Sequence, residues 1–447
     1  MDDSMNSHRD EEAPLVVSDG KKTNSSLKNH TRDVHILSSS FLLIFLAYGA
    51  AQNLQSTVNT AQDLGTTTLG ILYVSFTFFS LFASTTVRML GSSKNALILG
   101  STGYWLYVAA NLIPSWYSMV PAALYLGFCA SIIWVGEGTY LTSTARSHAK
   151  DYQLHEGTII GSFNGVFFGY FASHQFVGNL ISLALLKDGE EGTTSGTTLL
   201  FVVFLGFLTL GSILLCFLNK RDNEGLDLLT PKASPSFCES VFFLWDLVVA
   251  PLLDKRMLLI IPLIAYSGLQ QAFVWAEFTK EIVKPALGVS GVGGSMALYG
   301  VFGAISSLVA GRFTSGLSSI TLITASGAFV QLVVLLWILL GYSASSGFLG
   351  YVYPLLMAAM LGVGDSVFNT QLNALLGILF KNDTEGAFAQ LKVWQSASIA
   401  VVFFLYPHIT LQAMIIIMIA ALILAVVCFL FLTLHLEKAF SSSRSLS

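Results

Sequence analysis

Long apolar segments follow one another along most of the chain, and short polar connections separate them. Each segment has about 20 residues, the length that an α-helix needs to cross roughly 30 Å of hydrocarbon. The pattern therefore predicts an all-α integral membrane protein with twelve membrane-spanning helices. The predicted spans are 37–61, 66–87, 96–114, 117–140, 157–183, 197–218, 256–279, 290–311, 318–341, 348–370, 385–407 and 410–434.

The polar segments divide the chain into five predicted parts. These are a disordered cytosolic tail (1–35), an N-terminal six-helix half (36–218), a cytosolic central loop (219–255), a C-terminal six-helix half (256–434) and a cytosolic tail (435–447). Within the central loop, apolar residues recur at helical spacing between Phe237 and Leu252. Glu239, Asp246 and Pro251 interrupt this stretch, which favours an interfacial helix on the cytosolic leaflet over a further span.

Composition agrees with a membrane protein and excludes several other classes. The 447 residues are 54% hydrophobic and only 11% charged, whereas soluble domains carry about 25% charged residues. A net charge of −4 without a basic block gives no reason to expect a nucleic-acid partner. The four cysteines have neither a disulfide pattern nor metal-ligand spacing. We therefore expect membrane lipids around the chain and neither a metal nor another cofactor.

Lysine and arginine residues are unevenly distributed between the two sides of the predicted bundle. Of 22 such residues, eighteen fall on the side that holds both termini, three on the opposite side, and Lys392 lies within a span. Cytoplasmic segments of membrane proteins carry an excess of basic residues. Both termini are therefore expected in the cytosol. The plasma membrane and an endosomal or vacuolar membrane remain alternative locations.

The two halves of the chain repeat each other. The sequence AYGAAQ from Ala47 in the first span is answered by AYSGLQ from Ala265 in the seventh, 218 residues later. Glu156-Gly157 and Glu385-Gly386 likewise open the fifth and eleventh spans. Two parallel six-helix repeats are the architecture of the major facilitator superfamily. The segment Arg88–Lys94 resembles the basic half of that superfamily's loop motif but lacks its usual acidic residue.

A closer resemblance rests on four segments spread over both halves. The segments are AYGAAQNLQSTVN, WVGEGTYLTS, YSGLQQAFVWAEFTK and LGVGDSVFNTQLN. Together they resemble the UNC-93-like family, a branch of the major facilitator superfamily known for ion-channel regulatory proteins. The resemblance implies a twelve-helix protein that governs potassium channels or potassium balance, or that escorts other membrane proteins. It does not imply a particular transported solute.

Polar side chains within the first and seventh spans are candidates for the wall of a path between the halves. In the first span they form one helical stripe that includes Gln52, Gln55 and Asn59. In the seventh, Gln270 and Glu277 are two turns apart and share one face. Polar groups in lipid are costly and usually face a bundle interior or a wet cavity. The alternative is that the amides only join neighbouring helices.

Charged and amide residues within three further spans complete the candidate set. Asp365 and Asn369 lie four residues apart in the tenth span, Glu137 lies between two glycines in the fourth, and Lys392 lies in the eleventh. Asp365 and Lys392 have similar predicted depths, so an ion pair between them is one hypothesis, with Glu137 as the rival partner of Lys392. The alternative is that Lys392 extends towards the cytosolic interface.

No motif in the sequence indicates an enzyme, and we expect no catalytic residue. The buried charges favour a secondary carrier of a small solute or ion, which binds between the halves and is exposed to each side in turn. The family resemblance favours a regulatory or escort subunit that binds a potassium channel or another membrane protein. Flux through the purified protein distinguishes the two hypotheses.

Overall fold

The computed structural model describes residues 29–58, 64–186, 194–220, 254–341, 348–405 and 408–444, and these residues form a bundle of helices. In the N-terminal half the helices are α1 (His30–Val58), α2 (Leu64–Ser80), α3 (Ala83–Met89), α4 (Ser93–Ala110), α5 (Trp116–Tyr152), α6 (Glu156–Leu186) and α7 (Thr194–Cys216). In the C-terminal half they are α8 (Lys255–Phe273), a π-helical segment (Val274–Val283), α9 (Lys284–Phe313), α10 (Leu317–Gly341), α11 (Phe348–Leu379), α12 (Thr384–Leu405) and α13 (Leu411–Arg444).

Each of the twelve predicted spans coincides with one helix or one broken helix. Within the described ranges, nine helices are long and apolar enough to cross a membrane, and the pair α2 and α3, bent by 66°, would make a tenth. Helices α4 and α6 fall below that level of apolarity and occupy the third and fifth predicted spans. The predicted interfacial helix at 237–252, residues 1–28 of the N-terminal tail and residues 445–447 of the C-terminal tail lie outside the described residues.

Two glycines with positive φ angles mark the breaks between consecutive helices. Gly288 has a φ of 73° inside α9 and separates the seventh predicted span from the eighth. Gly91, between α3 and α4, has a φ of 67°. Residues with a Cβ rarely adopt such angles, so glycine permits the chain to reverse at both places.

The first helix begins earlier than predicted, at His30 rather than after residue 35. Its polar start packs against protein: His30 Nε2 lies 2.8 Å from Asp151 Oδ2 at the end of α5. Asn219 Nδ2 donates hydrogen bonds of 2.9 and 3.1 Å to the two carboxylate oxygens of Asp33. A hydropathy pattern misses this turn because its polar residues His30 and Asp33 are buried against protein.

The two halves meet along two seams. In the first, α6 packs on α9 through glycines: a Cβ added to Gly165 would lie 2.6 Å from the Cα of Gly311. The second seam joins α2 to α12, where Thr77 Oγ1 donates a 3.0 Å hydrogen bond to Ser396 Oγ. These seams bring the polar residues of the central helices towards the interface between the halves.

Candidate functional site

A hydrogen-bonded group of side chains joins three helices of the C-terminal half. Asp365 Oδ1 on α11 accepts hydrogen bonds from Gln271 Nε2 on α8 (3.2 Å) and from Asn369 Nδ2 (3.0 Å). Gln395 Nε2 on α12 donates to Asn369 Oδ1 (3.3 Å) and to Ser267 Oγ on α8 (3.2 Å). The amides thus connect a membrane carboxylate to the helix that carries Lys392.

The ammonium group of Lys392 ends this network. Its Nζ donates a 3.0 Å hydrogen bond to Gln395 Oε1 and lies 4.3 Å from the centre of the Trp134 ring on α5. Only 6% of the side chain's surface is exposed. A cation over an indole face is attracted by the ring's quadrupole. Lys392 is therefore held between the two halves by one amide and one aromatic ring.

The hypothesised ion pair between Lys392 and Asp365 is wrong for this structure. The two side chains make no ion pair in the described part of the chain, and two amides separate them. The reason is local: Gln395 lies one turn further along α12 and reaches the ammonium first. The alternative, in which Lys392 extends towards the cytosolic interface, is also wrong. Helix α12 begins at Thr384 on the predicted cytosolic side, and Gln395, to which Lys392 donates, lies further from that end than Lys392 does.

Three of the predicted residues are buried without partners. Glu137, Gln270 and Glu277 are each exposed by 1% or less. No carboxylate oxygen of Glu137 or Glu277 has a hydrogen-bond partner among the described residues. The side-chain oxygen and nitrogen of Gln270 also have none among them. Leaving a buried polar group unpaired costs about 1–3 kcal/mol, and more for a charged group. These side chains therefore have unused hydrogen-bonding capacity that water, an ion or a polar group of a ligand would satisfy.

The unpaired groups fall at different places around the site. The buried Tyr299 hydroxyl lies near both Gln270 and Asp365. It is aligned for a hydrogen bond with neither of them. Glu137 is within electrostatic range of Lys392 without touching it. Glu277 lies in the π-helical segment, near Lys280 and Glu281, and no hydrogen bond joins it to the Asp365 group in the described ranges. π-Helical turns are frequent at functional sites.

Of the polar stripe on the first helix, the structure describes the side chain of Gln52. Gln52 Nε2 donates a 3.1 Å hydrogen bond to the Tyr73 hydroxyl on α2, which fits the alternative of an amide that joins neighbouring helices. Gln55 lies on α1, but its side chain is outside the described residues, as is Asn59 altogether. The cavity wall proposed for this helix therefore stays a prediction.

A second cluster of charges, which the sequence did not single out as functional, joins the halves on the predicted cytosolic side. Arg88 donates to Asp383, and Glu156 accepts from Lys381 Nζ at 2.7 Å and from Arg146 Nε at 3.3 Å. We call these five residues the charge clamp. In the sequence, the repeated pairs Glu156-Gly157 and Glu385-Gly386 indicate where this cluster lies. Glu156 belongs to the cluster, and Glu385 lies 3.9 Å from its member Arg88.

The start of α8 is fixed on the same side. Arg256 Nη1 donates to the Leu379 carbonyl at the end of α11 (3.0 Å), and its guanidinium lies 4.9 Å from the centre of the Phe380 ring. The same guanidinium hydrogen-bonds Asp254 and holds the pKa of that carboxyl below its usual range. No group of three or more metal-ligating side chains occurs in the part of the chain that the structure describes.

Comparison with known proteins identifies the family. A sequence model described as "Ion channel regulatory protein UNC-93" matches residues 57–430. The chain belongs to the UNC-93 family. The Arabidopsis thaliana protein named UNC93-like protein 3 is 66% identical over 93% of this chain and 89% of its own length. Human unc-93 homolog A is 30% identical over 85% of this chain and 89% of its own.

Solved structures show the fold of this UNC-93 family member. The E. coli fucose:proton symporter FucP superposes with a TM-score of 0.66, over 91% of this chain and 99% of its own, at 13% identity. The human organic anion transporter MFSD10 superposes with a TM-score of 0.63, over 90% of this chain and 100% of its own, at 14% identity. The fold is that of the major facilitator superfamily, as the sequence repeat predicts.

Proposed function

We propose that this UNC-93 family member is a secondary carrier that binds a small cationic solute or ion between its halves. The observation that carries the proposal is the set of ionisable residues inside the bundle, the buried Glu137 and Lys392 and the partly buried Asp365, with their unpaired polar neighbours. When both carboxylates are ionised they exceed the one ammonium by one negative charge, which favours a cation. Ionisable residues within a membrane usually mark a substrate or ion path.

The charge clamp supports a carrier with a closed cytosolic side. Two of its ion pairs link the end of α3 and the start of α6 in one half to the α11–α12 connection of the other, and a third joins α5 to α6 within the first half. In alternating access, one half rocks against the other around a central site. The clamp pairs would then separate when the site opens to the cytosol.

Flux through the purified protein tests the proposal. We expect proteoliposomes to take up ⁸⁶Rb⁺, a potassium substitute, or to move protons reported by an internal pH dye, faster than protein-free vesicles. Asp365→Asn should reduce that flux, because it removes charge from the site while retaining its shape. Absence of any flux above the protein-free control, from protein that remains folded, would contradict the carrier.

A regulatory or escort subunit is the second candidate, and the description of the matching family favours it. In this case the chain binds a potassium channel or another membrane protein through its outer surface and carries no solute. Silent proteoliposomes together with co-purification of a channel would support it. We propose no catalytic role for this chain.

For either function we propose a location in the plasma membrane or an endosomal or vacuolar membrane, with both termini in the cytosol. The distribution of basic residues supports this orientation. Antibody binding to a C-terminal tag on intact cells that display the protein at their surface would contradict it.

A further inference from the structure

Glu137 occupies a tightly enclosed position on α5. Its neighbour Gly138 faces α12 so closely that an added Cβ would lie 2.5 Å from the Phe388 ring. Its other neighbour, Gly136, faces α4, where an added Cβ would lie 3.1 Å from the Cβ of Ala96. The carboxyl group is thus enclosed where the halves meet, with 1% of the residue exposed.

The surroundings of Glu137 differ from those of Asp365. Asp365 accepts two N–H groups and is partly exposed, which are conditions that stabilise an ionised carboxylate. Glu137 accepts none from the described residues. Removing an ionised carboxylate from water without hydrogen bonds costs several kcal/mol. The geometry at Glu137 therefore suits the neutral acid, which carries a proton.

One buried cation lies within reach of this acid. Lys392 on α12 is the charged group that interacts electrostatically with Glu137, and the two glycines that flank Glu137 face Ala96 and Ser93 on α4 and Phe388 on α12. Its ammonium is engaged by Gln395 and Trp134 instead. A lysine side chain has a flexible four-carbon stem, so we expect rotation of the side chain to carry the ammonium from Gln395 to Glu137.

We infer that Glu137 is an exchangeable proton-binding site and that Lys392 is its switch, so that the proton is the coupling ion of the proposed carrier. In the described arrangement the proton is on a carboxyl oxygen of Glu137 and Lys392 donates to Gln395. When Lys392 turns to Glu137, the O–H bond breaks, the proton leaves to water at the open end of the path, and the ammonium pairs with the carboxylate. Only the coupling role rests on the proposed function; the binding site does not.

Carbodiimide labelling tests the site without any substrate. Dicyclohexylcarbodiimide reacts with protonated carboxyl groups in apolar surroundings, and mass spectrometry of the digested protein locates the adduct. We expect the purified wild-type protein to be labelled at Glu137 at pH 6 and progressively less as the pH rises, with little labelling of Asp365. Glu137→Gln should remove only that adduct.

Two comparisons identify the switch. Lys392→Met should raise labelling of Glu137 several-fold at neutral pH, because a nearby cation favours the ionised, unreactive form. Labelling of Glu277, which is also unpaired but far along the chain from Lys392, should not change. Lys150→Met, which removes an exposed lysine at the end of α5, should leave Glu137 labelling as in the wild type.

Two results would overturn the inference. One is absence of an adduct at Glu137 in wild-type protein between pH 5 and pH 8. The other is suppression of Glu137 labelling by KCl or NaCl, but not by choline chloride, at constant pH. That result would mean that Glu137 binds a metal cation and not an exchangeable proton. Labelled Glu137 in a protein without flux would refute the carrier but keep the proton site. Flux through a protein whose Glu137 is not labelled would support the carrier and refute the proton site.

Discussion

At the scale of single residues, the sequence could predict which side chains are unusual but not which partners they take. Glu137, Gln270 and Lys392 were found because charged and amide groups are rare within apolar spans. Their contacts depend on side-chain rotamers: Lys392 turns to Gln395 on its own helix, and Gln52 reaches Tyr73 on the next. The spacing of residues along a helix predicts the depth of a side chain in the membrane to within one helical turn. That precision does not distinguish Asp365 from Gln395 as the partner of Lys392.

Removal of Gln395 should show what that amide contributes. Gln395→Leu leaves the buried ammonium of Lys392 without its hydrogen-bond acceptor, and we expect a loss of about 1–3 kcal/mol of stability. The measurement is thermal unfolding of the purified protein in detergent.

The matched control replaces both partners. In the double variant Gln395→Leu/Lys392→Met no buried cation remains, so much of the lost stability should return. A double variant no more stable than Gln395→Leu alone would mean that this hydrogen bond does not hold the lysine.

At the scale of helices, the pattern of apolar residues predicted all twelve spans because length and hydropathy are set by the membrane. It missed the early start of α1, where His30 and Asp33 are buried against protein. It also missed the π-helical segment around Glu277, because one additional residue per turn changes the hydrogen-bond ladder but not the composition. The glycine seam of α6 and α9 was likewise not predicted, since glycines are spread through most spans.

The seam gives a prediction with a control inside the same half of the protein. Gly165→Ala places a Cβ 2.6 Å from the Cα of Gly311, so α6 and α9 must separate, at a cost of about 1–3 kcal/mol. Gly206→Ala on α7 meets nothing within 4 Å and should be neutral or stabilise by up to about 1 kcal/mol. Thermal unfolding of the two variants side by side measures the difference, and equal midpoints would show that the seam tolerates a methyl group.

At the scale of the whole molecule, the internal repeat and the basic-residue count predicted two halves and an orientation. They could not predict the charge clamp, because its pairs join residues far apart in sequence: 295 positions separate Arg88 from Asp383. The clamp nevertheless follows from the repeat, since both Glu-Gly pairs open helices on the same side. Arg88, the first basic residue of the loop motif, pairs with Asp383 of the other half.

Opening of the cytosolic side should follow from reversing one charge of the clamp. Thr142 is buried beside Gly377 of the other half, so a cysteine at Thr142 in a chain with its four native cysteines replaced by serine reports separation of the halves. With Asp383→Arg, repulsion from Arg88 replaces the ion pair. Partly exposed pairs contribute about 0–1 kcal/mol each, so we expect a polar maleimide to label Thr142→Cys about 2–10-fold faster.

Two further measurements test this prediction: the side of the membrane from which the maleimide reacts, and a variant in which the two charges are exchanged. The faster labelling should appear in inside-out vesicles and not in right-side-out vesicles, because the clamp is predicted to face the cytosol. Arg88→Asp combined with Asp383→Arg recreates the pair with its charges exchanged, and should return labelling close to the original rate. An unchanged rate in Asp383→Arg would mean that the α6–α9 seam, rather than the clamp, keeps the cytosolic side closed.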